Sequence, residues 1–261
     1  MTFIDTHAHL YDPAFDEDRA EIIQRSIDAG VTKILLPDVD STTREAMLQM
    51  AHKFEGVCYP MVGVHPTSIN EFGDSWHNEI ELVRQELHDH PNRYIAIGEI
   101  GMDLYWSKDF ESQQRQAFVA QLDLSLEYSL PVAIHVRDAW DATIEILSLY
   151  KGKGLRGVIH AFSGDITAYN TIREVGEFVF AIGGVVTFKK ASLATVVAQM
   201  AIEDLVLETD APYLTPTPHR GKRNESSYIP LIAEFIAKLK EVTVEEVAQI
   251  TTTNAERIFK I

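Results

Sequence analysis

Phe3-Ile4-Asp5-Thr6-His7-Ala8-His9 begins as a short apolar run and ends on two histidines separated by one residue. Successive side chains of a strand point to opposite faces, so residues two apart share a face. His7 and His9 therefore aim at one point if the run is a strand, here taken as Phe3–Thr6. Further candidate ligands close later apolar runs: Glu99, His135, His160 and Asp210.

Working outward, strand-like and helix-like segments alternate to the end of the chain. The candidate strands after the first are Thr32–Leu36, Cys58–Gly63, Tyr94–Glu99, Pro131–His135, Gly157–His160, Phe178–Ile182 and Leu205–Glu208. Most are nearly continuous apolar runs, as expected of parallel strands covered on both faces. Between them lie amphipathic segments. The first is expected to start at an Asp16 N-cap, set Ile23 and Ile27 on one face, and close at Gly30. Another sets Phe118, Leu122 and Leu126 four apart ahead of Pro131, and Met47 and Met50 face the core from a helix between the second and third strands. Helical patterns over Tyr228–Leu239 and Val244–Phe259 end the chain. Repeated strand–helix units at roughly 30-residue spacing predict an α/β chain folded as a TIM-like (β/α)8 barrel, one domain over residues 1–261. An open doubly wound sheet is the competing architecture, but no glycine-rich phosphate fingerprint follows an early strand. In the barrel, His7 and His9 end strand one, Glu99 strand four, His135 strand five, His160 strand six and Asp210 strand eight, so all six converge on one mouth.

Composition narrows the function classes. With 261 residues, 46% of them hydrophobic, the chain can bury a large core. No stretch approaches the ~18 consecutive apolar residues of a membrane helix, and Met1-Thr2-Phe3-Ile4-Asp5 lacks the basic-then-apolar pattern of a signal peptide. Cys58, the only cysteine, reads as a small core residue on a strand and fits a cytoplasmic protein. A net charge of -16 opposes a long polyanion footprint. The densest basic run, His219-Arg220-Gly221-Lys222-Arg223, follows Asp210 and the turn Thr215-Pro216-Thr217-Pro218, which places Arg220 and Arg223 as candidate substrate contacts.

Taken singly, each histidine has an ordinary hydrogen-bonded core role open to it. The joint pattern points to metal. Imidazole with carboxylate suits zinc or manganese, and magnesium where carboxylate and water dominate. Four histidines and two carboxylates exceed what one catalytic ion with an open position needs. Two ions would use all six and stabilise both oxygens of a phosphoryl displacement. The expected division gives His7, His9 and Asp210 to one ion, His135 and His160 to the other, with Glu99 between. Asp210 and Glu99 are the candidate catalytic carboxylates, Asp210 directing the water proton. Arg137, two residues after His135, is a candidate bidentate phosphate contact. Glu208, two before Asp210, is read as orienting a substrate group or a ligand histidine. His65, in Gly63-Val64-His65-Pro66, is a candidate substrate contact, and Asp103 is expected to steady the Glu99 loop. His52, His77, His88 and His90 read as surface residues.

These residues resemble the TatD-type metal-dependent deoxyribonucleases of the amidohydrolase superfamily. The resemblance rests on Asp5-Thr6-His7-Ala8-His9-Leu10, Gly63-Val64-His65-Pro66, Gly98-Glu99-Ile100-Gly101, His135-Val136-Arg137, His160-Ala161-Phe162-Ser163-Gly164, Leu207-Glu208-Thr209-Asp210-Ala211-Pro212-Tyr213-Leu214 and Arg220-Gly221-Lys222-Arg223-Asn224-Glu225, in order over nearly the whole chain. It implies a TIM barrel, a divalent site on His7, His9, Glu99, His135, His160 and Asp210, and phosphodiester hydrolysis of DNA from the 3′ end. One departure is visible: Ser226-Ser227 stands where family members have proline.

The resulting expectation is a monomeric two-metal phosphodiesterase acting on single-stranded or frayed DNA ends, with Mg, Mn or Zn as cofactor. Two rivals are an ester or amide hydrolase, such as one cleaving an aminoacyl-tRNA ester or a cyclic amide, and a non-catalytic metal-stabilised binding module.

Overall fold

A computed structural model describes residues 1–261. Eight strands and ten helices alternate as follows. β1 (Phe3–Asp5) leads to α1 (Arg19–Asp28), β2 (Val31–Leu36), α2 (Ser41–Lys53) and β3 (Cys58–Pro60). α3 (Pro66–Phe72) and α4 (Trp76–Asp89) precede β4 (Ile97–Asp103), α5 (Glu111–Tyr128), β5 (Val132–Arg137) and α6 (Trp140–Ser148). β6 (Arg156–Ile159), α7 (Ile166–Arg173), β7 (Glu177–Ile182), α8 (Leu193–Gln199) and β8 (Leu205–Leu207) follow, and α9 (Ile229–Lys240) and α10 (Val244–Phe259) close the chain. All strand pairs are parallel, within β1–β3 and within β4–β8. Bridges at Val62–Ile97 and Ala8–Ala211 join the two arcs into the expected (β/α)8 barrel. No helix is long and apolar enough to cross a membrane.

Side chains alternate between two cores, as the strand pleat requires. Ile4, Leu35, Met61, Ala133, Val158, Val179 and Val206 fill the barrel interior, which Ala255, Ile258 and Phe259 of α10 plug from below. Their neighbours Phe3, Ile34, Leu36, Val132, Ile134, Phe178 and Phe180 pack outward against the helices. Cys58 is buried, and burial pushes its thiol up to about 12, so it is an inert core residue.

Three details differ from the sequence expectations. Asp16 caps no helix: α1 begins at Arg19, and the Asp16 carboxylate pairs with the Arg19 side chain at 2.6 Å instead. β1 ends at Asp5, so His7 and His9 flank the bridge residue Ala8 and do not lie on a continuous strand. Glu99 lies inside β4, not at its end. β4 pairs Ile97 with Val132 but Ile100 with Ile134, so it carries one extra residue there. Such a bulge re-aims the side chains beyond it: Gly98 faces the interior against Ala133, yet Ile100 packs in the outer core, and Glu99 turns toward the mouth. Gly101 follows at φ +136°, and a Cβ there would meet the His135 carbonyl oxygen at 2.1 Å. Only glycine fits so close an approach.

Candidate metal centre

The six ligand candidates meet at the C-terminal mouth, the side where barrels of this kind carry their sites. Glu99 is the centre. Its Oε2 lies 3.1 Å from His7 Nε2 and 3.6 Å from His9 Nε2. Its Oε1 lies 2.9 Å from His135 Nδ1, 3.4 Å from His65 Nε2 and 3.7 Å from His160 Nε2. Asp210 Oδ1 stands 3.6 Å from His9 Nε2, 3.7 Å from His160 Nε2 and 3.9 Å from His7 Nε2. His160 thus faces Glu99 and Asp210 together, and its ring stacks on His7 at 3.4 Å, whereas His135 and His160 lie 6.1 Å apart. Compared with the expected division, the structure groups His160 with His7 and Asp210 as closely as with Glu99.

Hydrogen bonds on the far side of the His9, His135 and His160 rings set which nitrogen faces the cluster, whereas His7 Nδ1 is buried without a partner. The Tyr11 hydroxyl donates to the Pro37 carbonyl at 2.7 Å, so its oxygen accepts the His9 Nδ1 proton at 3.0 Å. Glu208 accepts from His160 Nδ1 at 2.8 Å and from the Ala161 backbone N–H at 2.8 Å. Asp103 accepts from His135 Nε2 at 3.0 Å, so it orients a ring and does not merely steady the Glu99 loop. Each bond turns the other ring nitrogen, the one that would coordinate a cation, toward Glu99 or Asp210. His65 is the opposite case. The Thr67 backbone N–H donates to its Nδ1 at 3.2 Å, so Nδ1 is the acceptor and the Nε2–H faces Glu99. It is suited to a hydrogen bond with an acceptor in the cleft.

The electrostatics ask for positive charge. Burial lowers His160, but the Glu208, Glu99 and Asp210 charges outweigh it and push the ring up to about 10. Burial takes His9 down to about 4. Burial together with Glu99 and Glu208 lifts the Asp210 carboxyl up to about 7, against the pull of His160. Imidazole nitrogens converging on two buried carboxylates form a donor set in which a divalent cation can take the place of the ring protons. Asp210 holds φ at +58°, a left-handed conformation that Asp tolerates, and its N–H is tied to the His7 carbonyl at 2.9 Å.

A cleft of about 1020 Å³ opens over the cluster, flanked on one side by Asp12, Asp16, Glu17, Asp18 and Glu21. The arginines expected in it lie elsewhere. Arg137 stacks over Tyr105 at 3.6 Å, and Arg220 over Phe188 at 3.5 Å. Arg223 reaches Asp18 at 2.6 Å and the Ala14 carbonyl, pinning the basic loop to the segment before α1. The Ser226-Ser227 loop is fixed without proline: Arg25 grips Glu225 at 2.7 Å and 3.1 Å, and Asn224 donates to the Thr209 and Tyr213 carbonyls. Sequence reasoning gave Asp103 a different task and overlooked Tyr11. Both sit two residues from a candidate ligand, which was the available signal. His52, His77 and His88 are exposed and His90 is half-buried.

The family described as TatD related DNase matches residues 4–260. The chain is 37% identical to the Bacillus subtilis protein named uncharacterized metal-dependent hydrolase YabD, over 98% of each chain. It is 30% identical to the 3′-5′ ssDNA/RNA exonuclease TatD of Yersinia pseudotuberculosis, covering 98% of this chain and 99% of that one. Among solved structures, YjjV, a TatD homolog from Escherichia coli, superposes with a TM-score of 0.91 at 28% identity, over 99% of this chain and 98% of that one.

Proposed function

The chain belongs to the TatD-related DNase family, and from that premise we propose that it is a divalent-metal-dependent phosphodiesterase removing nucleotides from the 3′ end of single-stranded or frayed DNA. The observation that carries this reading is the Glu99 carboxylate, one oxygen facing His7 and His9 and the other facing His135 and His160. Two cations (Mg, Mn or Zn) would be held on the two sides of Glu99, with Asp210 between His9 and His160. When bound, such ions lower the pKa of water and offset charge on phosphoryl oxygens. Asp210, raised by burial to about 7, takes up the proton of the attacking water. His65 Nε2–H donates to an oxygen of the scissile phosphate. Glu208 and Tyr11 keep the His160 and His9 rings in the required tautomer. One chain supplies the whole cluster, in keeping with a monomer, and the lone buried cysteine suits the cytoplasm.

The test is hydrolysis of single-stranded DNA labelled at the 3′ end. Rapid release of labelled mononucleotide, abolished by chelator and restored by Mg, Mn or Zn, is expected. Phosphorothioate at the scissile position should slow release, with rescue by the softer metals. Cleavage of an aminoacyl ester with no release from DNA would overturn the phosphodiester reading.

Glu208→Gln is expected to weaken metal binding or turnover by about 10–100-fold. The neutral amide cannot reproduce two strong acceptors toward His160 Nδ1 and the Ala161 N–H. Metal affinity and initial rates within twofold of the wild type would remove Glu208 from the orienting role.

A further inference from the structure

On the far side of the ring from the acidic β1–α1 segment, the ends of β4 and β5 carry two exposed aromatics and an arginine. Tyr105 is 52% and Trp106 69% exposed. Their rings meet edge to face at 4.9 Å. The Arg137 guanidinium lies 3.6 Å from the Tyr105 ring centroid and 5.4 Å from that of Trp106, and no carboxylate pairs with it. An unpaired surface cation is unexpected in a chain of net charge -16. The two exposed aromatics adjoin that cation and present it with free ring faces.

The cluster is rigidly mounted beside the metal centre. Asp103 pairs with Arg137 in the β4–β5 ladder, Leu104 N–H donates to the Arg137 carbonyl at 3.0 Å, and Tyr105 N–H donates to Asp103 Oδ1 at 3.1 Å. The same Asp103 holds His135, which lies two residues before Arg137. The platform and the ring of a candidate metal ligand are therefore held by one carboxylate.

We propose that Tyr105, Trp106 and Arg137 form a stacking platform for an unpaired nucleobase of the DNA strand whose end lies at the Glu99 cluster. This rests on the phosphodiesterase reading above. Charge decides the direction of the strand. Asp12 and Glu17, which no cation pairs, repel phosphates along the β1–α1 flank, where Arg19, Arg25 and Arg223 already offset Asp16, Glu21 and Asp18, whereas the β4–β5 flank offers π faces and one free guanidinium. β5 lies four strands from β1, across an eight-stranded ring. Exposed aromatics with an arginine are how proteins hold single strands without reading their sequence.

The test uses metal-free protein, a short oligothymidylate and the same backbone without bases. Of the three tryptophans, Trp76 is buried and Trp140 packs on Phe162, so quenching on stacking reports Trp106. Oligothymidylate is expected to quench the emission and the abasic strand to leave it unchanged. Trp106→Ala should weaken oligothymidylate binding by about 5–100-fold, measured by anisotropy of a labelled strand, with no change for the abasic strand. Leu149→Ala, an exposed site on another face, is the control expected to bind as the wild type. Equal affinity for the two strands, or a Trp106→Ala protein that binds oligothymidylate as the wild type, overturns the platform. A wild type that stacks oligothymidylate yet hydrolyses no DNA upholds the platform and contradicts only the activity.

Discussion

Asp210→Asn is expected to lower turnover on single-stranded DNA by about 10²–10⁴-fold with the thermal transition unchanged. Asparagine keeps the shape and tolerates the left-handed backbone at this position, where φ is +58°. What it loses is the capacity to take up a proton and the negative charge facing His9 and His160. Because Asp210 is buried beside Glu99 and Glu208, replacing its carboxylate also relieves repulsion, so the fold is not expected to suffer. Initial rates and a thermal melt of the same preparation separate the two. A rate within twofold of the wild type would remove Asp210 from the reaction.

Arg44→Leu should act through the scaffold. Arg44 Nε lies 2.7 Å from Asp38 Oδ2, and both residues are buried. Removing one partner of a buried pair strands the other charge, at about 3–5 kcal/mol. In a chain of this length that corresponds to a Tm lower by roughly 10 °C. Burial already lifts the Asp38 carboxyl up to about 7 against the pull of Arg44, and without Arg44 only the long hydrogen bond from the Gly63 N–H still opposes it. The folded variant then binds a proton that the unfolded chain releases near its ordinary carboxylate value, so its stability falls as pH rises above that value. The loss in Tm should be larger at pH 8 than at pH 5. The damage also reaches the site. Asp38 N–H donates to the Gly98 carbonyl at 3.0 Å, and the Asp38 carbonyl accepts from Glu99 N–H at 2.9 Å. The double variant Asp38→Leu/Arg44→Leu should recover part of the stability. A Tm shift below about 2 °C, or one independent of pH, would contradict this account.

The barrel was legible because eight apolar runs alternate with amphipathic segments, and burial on both faces leaves parallel strands little choice of composition. The convergence of His135 and His160 was legible for the same reason: each shares a face with an interior residue, Ala133 or Val158, two positions earlier. Glu99 is different. By simple alternation from Gly98 it would face the helices, and only the extra residue between Ile97 and Ile100 turns it inward. A bulge is a property of two paired strands, so one strand's sequence does not show it. The arginines show the limit for loops. Arg223 finds Asp18 and Arg137 finds Tyr105 through contacts fixed by tertiary packing, whereas spacing from the nearest motif says only that they are close in sequence.

The central claim, that distant side chains gather around divalent cations with Glu99 between them, is tested most directly by calorimetric titration of metal-free protein with Mn²⁺ or Zn²⁺, comparing wild type with Glu99→Ala. Two ions per wild-type chain are expected, with both sites weakened in Glu99→Ala, because each oxygen of that carboxylate faces a different pair of histidines. A wild type that takes up no stoichiometric metal, or a Glu99→Ala protein that binds it unchanged, would contradict the account.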